Sequence, residues 1–350
     1  MIFHMVPLFG AEYRLICQRG DTLVITRVGG DGKILESQNC LPKLPRAARC
    51  YFNHHSPIGT LIVEGETNTV NQSAAEVAKA LNTKYDLNLL AIPSAFSIDK
   101  VSYKVSYATR NVSGELVTVV VGDEGPLLIL DNQLKVLHFF SERGIQPPSW
   151  SSKSNCLAFY QRPNIDEAQK AGMGVNAEDF LDQIKGWDFF GVKLLKVKSK
   201  DIEVIQVEKP KLSPMPGSIT REPPVWKKGE DLFWAYTEGE FHPMLFQVEG
   251  KDVIKQKPPV GWLPLVPGLA NDKELERFVI PKKGPFKREV ILALSPNLLL
   301  TQDPEIPTGK ADPKTGHLTG EPRPLYITQL DGKDTGRLEE GVYWLISSRL

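Results

Sequence analysis

The residue types best suited to chemistry fall in a few short stretches. His54 and His55 follow Asn53 in "YFNHHSPIG", with Cys40 and Cys50 upstream, and imidazole plus thiolate is a donor set of zinc sites. The spacing argues against a metal. Adjacent residues of an extended strand point to opposite faces, and the two cysteines lack the Cys-x-x-Cys interval, so the pair reads as a turn with exposed imidazoles. "YTEGEFHP" (236–243) groups Glu238, Glu240 and His242, types used for proton transfer and glycosidic cleavage. Acidic hairpin loops are ordinary on β proteins, and this one reads as a loop open to a partner. His4, His138 and His317 have no companion at ligand spacing. "GGDGK" (29–33) lies between two strands rather than at the start of a helix, so it lacks the dipole that would hold phosphate and reads as a hairpin turn. Nucleophile-elbow, Walker, dinucleotide-fingerprint and His-Glu-x-x-His patterns are absent. No catalytic residue, metal or cofactor is expected, and no small molecule is identifiable.

Composition narrows the partners. The 350 residues carry 42 basic and 42 acidic side chains, which removes the electrostatic footprint of a general nucleic-acid or anionic-membrane binder. Basic clusters occur at Lys193, Lys196, Lys198 and Lys200 and in "PKKGPFKRE" (281–289). Lys196, Lys198 and Lys200 alternate with Val197 and Ser199, as on a solvated outer strand. The opening "MIFHMVPLFGAEYRLICQRG" has no cationic start and is interrupted by Pro7, Gly10 and Glu12, so no secretory leader is expected. No apolar run is long enough for a membrane span. Four scattered cysteines suit a reducing cytoplasm, where the sequons at Asn71 and Asn111 carry no meaning.

The elements that would position these residues are mostly strands. "PPSWSSKSNCLAFY" (147–160) returns in altered form as "PPVWKKGEDLFWAY" (223–236): a Pro-Pro-x-Trp, a polar turn, then a strand with one apolar face. Hairpins follow at 193–207 and 244–256 and recur at 22–37, 126–140 and 324–338, with Gly-Asp, Asp-Asn or Asp-Gly at several turns. "RCYF", "GTLIVEG" and "LNLLAIP" supply strands for a further unit. Repeated antiparallel units of about 40 to 50 residues are the signature of a β-propeller.

The pattern Pro-x-Trp-Ser, five residues, then Leu-Ala-Phe in residues 148–159 resembles the WD40-like blade repeat of TolB-type propellers; "PVWKKGEDLFWAY" resembles it with a turn one residue shorter. The usual Ser-Pro-Asp-Gly turn stands in neither copy. The resemblance implies blades and transfers no functional residue.

The expectation is an all-β chain: a single six-bladed propeller over residues 1–350, with seven blades as the alternative, its blades near 48–95, 101–140, 147–208, 223–256 and 275–340. Residues 12–37 supply three strands of a sixth blade, and the C-terminal "GVYWLISS" is expected to supply its innermost strand. Two helical insertions are expected. One spans 73–86, opening on Ser73 and Glu76 as a capping box with Ala74, Val77, Ala78 and Leu81 on one face; the other spans 176–190. A long loop spans 302–323. Phe180, Ile184, Trp187, Phe189 and Phe190, with Glu238, Glu240, His242 and His317, form the expected partner-binding surface. A non-enzymatic scaffold subunit binding another protein is the leading expectation. The alternatives are a small-ligand binder or hydrolase using the central channel, and a nucleic-acid-associated subunit.

Overall fold

The computed structural model describes residues 11–349 except 54–55, 66–67, 123–124, 164–165, 167–168, 170–190, 199–200, 210–222, 228, 236–243, 257–288, 296–297, 303–306, 312–317, 321–323 and 330–331. Two compact units partition the chain, residues 1–40 with 259–350 and residues 41–258.

The first unit begins with β1 (Glu12–Arg19), β2 (Thr22–Gly29) and β3 (Ile34–Asn39), an antiparallel run with inward residues such as Leu15 and Val28 fully buried. Gly29 N–H donates to the Lys33 carbonyl at 2.9 Å, closing the hairpin that "GGDGK" announces. Gly32 there has φ +82°, and a Cβ on it would lie 2.2 Å from Thr335 Oγ1, so both conformation and space require glycine.

The second unit starts with β4 (Arg49–Phe52) and β5 (Ile58–Val63), then α1 (Gln72–Tyr85) and β6 (Asn88–Pro93). β6 pairs parallel to β5, from Ile58 opposite Asn88 to Val63 opposite Pro93. The first expected insertion is therefore a crossover helix, which a parallel pair requires. Its cap also differs from expectation. Asn71 accepts the Ser73 N–H at 2.9 Å and the Ser73 hydroxyl at 2.6 Å, so the helix starts earlier and Ser73 supports the cap rather than forming it. Ala74, Ala78, Leu81 and Tyr85 are buried, while Val77 is half-buried. Asn82 ties the helix to its strand by accepting the Leu89 N–H at 2.7 Å and donating to the Leu89 carbonyl at 2.9 Å.

Three antiparallel sheets follow in chain order. One contains β7 (Ala95–Ile98), β8 (Val101–Arg110), β9 (Leu116–Val121), β10 (Leu127–Asp131) and β11 (Val136–Phe140). The next contains β12 (Ser149–Trp150), β13 (Cys156–Gln161), β14 (Gly191–Val197) and β15 (Ile202–Glu208). The third contains β16 (Val225–Trp226), β17 (Leu232–Ala235), β18 (Met244–Glu249) and β19 (Asp252–Gln256). Each sheet packs face to face on the one before it. Ile62 and Ile92 meet Val117, Val119 and Leu128; Val120 and Ile129 meet Leu157 and Phe159; Ala158 and Leu194 meet Phe233 and Phe246. Fully burying each such large apolar side chain is worth about 1.5–3 kcal/mol, so these contacts dominate the unit's stability. The lysine-bearing strand is the third of its sheet, inside β15, rather than an outer strand. Lys193 is spent on Glu142 at 2.8 Å, and the Lys196 ammonium donates to the Gly250 carbonyl.

The first unit resumes with β20 (Glu289–Ser295), β21 (Leu298–Gln302), β22 (Pro307–Ala311), β23 (Leu318–Gly320), β24 (Leu325–Gln329), β25 (Asp334–Leu338) and β26 (Tyr343–Arg349). The expected loop 302–323 holds the two-stranded ribbon β22–β23. β20, β21, β24 and β25 form one sheet, and β26 joins β1 as the fourth strand of the other, Ile16 opposite Trp344 and Cys17 opposite Tyr343. Leu15 and Leu345 of one sheet pack with Leu298, Leu300 and Ile327 of the other.

Candidate functional site: four aligned turns

In every sheet of the second unit two consecutive strands, β4–β5, β8–β9, β12–β13 and β16–β17, are joined by five residues, 53–57, 111–115, 151–155 and 227–231, closed by one recurring backbone bond. That bond runs from the N–H of the first turn residue to the carbonyl of the residue after the turn. The four examples are Asn53 to Ile58 at 3.1 Å, Asn111 to Leu116 at 3.0 Å, Ser151 to Cys156 at 2.8 Å and Lys227 to Leu232 at 2.8 Å. The residue before the turn is buried each time: Phe52, Arg110 and Trp150 are 6% exposed and Trp226 is 7%. In three sheets the last turn carbonyl also accepts from the third strand: Pro57 from Asn88 at 3.0 Å, Asn155 from Val197 at 2.9 Å and Asp231 from Val248 at 2.9 Å.

This register corrects the shorter turn inferred for the second Trp copy. Trp150 stands opposite Leu157 and Trp226 opposite Phe233, so the turns are equal and Phe233, not Leu232, is the equivalent of Leu157. It also reveals two copies that sequence comparison missed, because Phe52 and Arg110 occupy the tryptophan position. What recurs is burial and a backbone bond, which different side chains satisfy.

Neighbouring turns hold each other through side chains. Asn53 accepts the Thr109 hydroxyl at 2.9 Å, and its amide donates to the Arg110 carbonyl. Asn111 donates to Asn155 Oδ1 at 2.8 Å. The Ser151 hydroxyl donates to Asp231 Oδ1 at 2.8 Å and the Ser154 hydroxyl donates to the same oxygen at 2.5 Å; Ser152 donates to the Lys227 carbonyl at 3.1 Å and accepts the Gly229 N–H at 2.7 Å. The Trp226 indole N–H donates to the Ser149 carbonyl at 2.9 Å. The two tryptophan-containing copies thus lie side by side and are bonded to each other.

Arg110 is the unusual member. Its guanidinium donates to Asn88 O at 2.8 Å, Asn88 Oδ1 at 3.1 Å and Gly114 O at 2.6 Å, with no carboxylate partner among the described residues. Burial without a countercharge lowers its pKa to about 10. A Cβ on Gly114, at φ +75°, would come 2.8 Å from Arg110 Nη2, so this turn needs glycine to let the guanidinium in. Cys50 and Cys156 nearby in sequence are buried, and burial raises both thiols, which keeps them protonated rather than nucleophilic. Among the described residues no group of three His, Cys, Asp or Glu side chains is placed to hold a metal. Carboxamides, hydroxyls and one carboxylate that bond one another make a structural frame at this end of the sheets.

The expected partner-binding residues Phe180, Ile184, Trp187, Phe189, Phe190, Glu238, Glu240, His242 and His317 all lie outside the described residues, as do His4, His54 and His55. The root of the 163–190 connection is described. Arg162 N–H donates to the Gly144 carbonyl at 2.8 Å, and the Gln161 amide donates to Glu142 Oε2 at 2.7 Å. Although burial works against it, the Lys193 ammonium and Gln161 amide hold the Glu142 carboxyl below the usual carboxylate range. No helix of the described residues is long and apolar enough to cross a membrane.

No family model and no curated protein matches the chain. Among solved structures it is similar to Hsv2 of Kluyveromyces lactis, with 12% identity, a TM-score of 0.43, and coverage of 93% of this chain and 95% of that one. It is also similar to the β-propeller domain of Cps50 (Swd1) from Myceliophteria thermophila, with 14% identity, a TM-score of 0.28, and coverage of 69% and 62%. TolB from Acinetobacter baumannii matches with 8% identity, a TM-score of 0.31, and coverage of 97% and 66%.

Proposed function

We propose that the six sheets of three to five strands are blades of one β-propeller, with the β26–β1 pairing as its closure, and that the protein is a non-enzymatic scaffold subunit. The observation carrying this reading is how the polar side chains of the aligned turns are used. Asn111 is committed to Asn155, and Ser151 and Ser154 to Asp231, so these groups fix sheets to one another and are not left for a substrate. The connections of unequal length leave from the other end of the strands that follow these turns, β5, β9, β13 and β17: residues 64–87, 122–126, 162–190 and 236–243. Rigid sheets that present variable connections at one end suit partner binding. Phe180, Ile184, Trp187, Phe189 and Phe190 would supply apolar anchors there, with Glu238, Glu240, His242 and His317 as polar contacts.

The test is replacement of residues 176–190 by a Gly-Ser linker in the tagged full-length chain. The expected result is an unchanged unfolding midpoint and loss of a partner protein that co-purifies stoichiometrically with the parent. Loss of the fold, retention of that partner, or turnover of esters or glycosides by the purified chain would each overturn the reading.

A further inference from the structure

Arg110 ends β8 at the position that Phe52, Trp150 and Trp226 fill before the other three turns. Aromatic rings meet the packing demand of that position in those sheets, so a cation is not what the frame requires there. Arg110 is nevertheless as buried as they are. Taking a charge out of water without an opposite charge to offset it is costly, and buried arginines are ordinarily paired. Arg110 has only neutral oxygens as partners, Asn88 O, Asn88 Oδ1 and Gly114 O. The turn's own carboxylate, Glu115, is exposed and accepts from the Ser113 hydroxyl at 3.3 Å. The donors left over share one edge of the guanidinium. Nη1 spends its N–H groups on Asn88 and Nη2 spends one on Gly114, which leaves the second Nη2–H, and the buried Nε has no hydrogen-bond partner.

We infer that Arg110 is the core of an anion site, taking a small oxyanion with two oxygens, phosphate or a carboxylate, on its Nε–Nη2 edge. The charge selects the sign of the ligand. The edge selects its shape, because two adjacent N–H groups match two oxygens of one anion and a halide offers a single centre. Gly114 keeps a side chain off the Nη2 flank, where a Cβ would come 2.8 Å from that nitrogen. Asn88, Ser113 and Glu115 around the guanidinium are exposed, so it lies one residue below the surface. The anion supplies the countercharge that the chain does not, and it accepts from the Nε–H that the fold leaves unmet.

The experiment is calorimetric titration and urea unfolding of the full chain with inorganic phosphate, against sodium chloride at matched ionic strength. The expected result is saturable binding of one phosphate per chain and an unfolding midpoint that rises to a plateau, whereas stabilisation by salt exclusion climbs without one. Displacement of phosphate by formate assigns the site to carboxylates as well; phosphate that formate does not displace assigns it to phosphate alone. Arg110→Phe, which places there the side chain found at position 52, should fold and lose the saturable binding. Arg110→Lys keeps the charge without the paired N–H groups and should bind about tenfold more weakly, the loss of one hydrogen bond to a charged group. A parent whose response to phosphate never saturates, saturable binding that persists in Arg110→Phe, or undiminished binding in Arg110→Lys would overturn the proposal. Should Arg110→Phe not fold, the parent titration and Arg110→Lys decide it.

Discussion

Trp150 and Trp226 hold equivalent positions but differ in one respect that a matched pair of substitutions isolates. Both end a two-residue strand, both are buried to nearly the same degree, and both pack against the preceding sheet. The Trp226 indole N–H reaches the Ser149 carbonyl at 2.9 Å, whereas the buried Trp150 Nε1 has no hydrogen-bond partner. Replacing either by Phe removes a similar amount of ring, so to first order the packing losses cancel in the difference. Trp226→Phe also loses a hydrogen bond worth about 1 kcal/mol net, while Trp150→Phe removes an unsatisfied donor whose burial costs about 1–3 kcal/mol. Trp226→Phe should therefore be the more damaging by about 2–4 kcal/mol. For a unit of this size the lower bound corresponds to about 4–8 °C in midpoint. Urea unfolding followed by far-UV circular dichroism, with calorimetry alongside, reads the difference. Equal losses in the two variants, or a larger loss for Trp150→Phe, would refute the idea that the indole bond distinguishes the copies.

Asp231 anchors the turn-to-turn contact, so Asp231→Ala should cost about 2 kcal/mol by urea unfolding, and a double-mutant cycle with Ser151→Ala should show coupling of about 1 kcal/mol. Gly32→Ala should cost about 3 kcal/mol, because positive φ adds to a close approach of 2.2 Å to Thr335 Oγ1. Gly250→Ala, at φ +55° with nothing within 4 Å, should cost only about 1 kcal/mol in the same calorimetric comparison. Glu142, with its carboxyl held below the usual range when folded, contributes stability that is present above the unfolded-state value and is lost as pH falls through the folded one. Urea midpoints measured from neutral pH down to about pH 3 should fall less steeply in Glu142→Gln than in the parent over that acid limb.

The hairpins at 22–37, 126–140, 193–207, 244–256 and 324–338 were legible in the sequence because a strand's period-two burial and a turn's demand for Gly, Asn or Asp are local properties. The Trp-turn-strand unit was legible twice and hidden twice. Trp150 and Trp226 announce it, but Phe52 and Arg110 fill the same buried position, and the shared backbone bond leaves no mark on residue identity. The cap of α1 moved from Ser73 to Asn71 because several polar residues compete locally and the β5–β6 crossover helps to set where the helix begins. The strands of that sheet were recognised, but their parallel pairing was not: direction depends on which edge the returning chain meets, and a strand's apolar pattern is the same either way. Sequence by itself therefore determined the strands, the tight turns and the all-β class, since each depends on residues adjacent in the chain. Tertiary structure alone decided which turns align, which tryptophan finds an acceptor, and why Arg110 is buried without a countercharge. Those outcomes depend on groups such as Ser149 and Trp226, or Asn88 and Arg110, that meet only when separate strands pack.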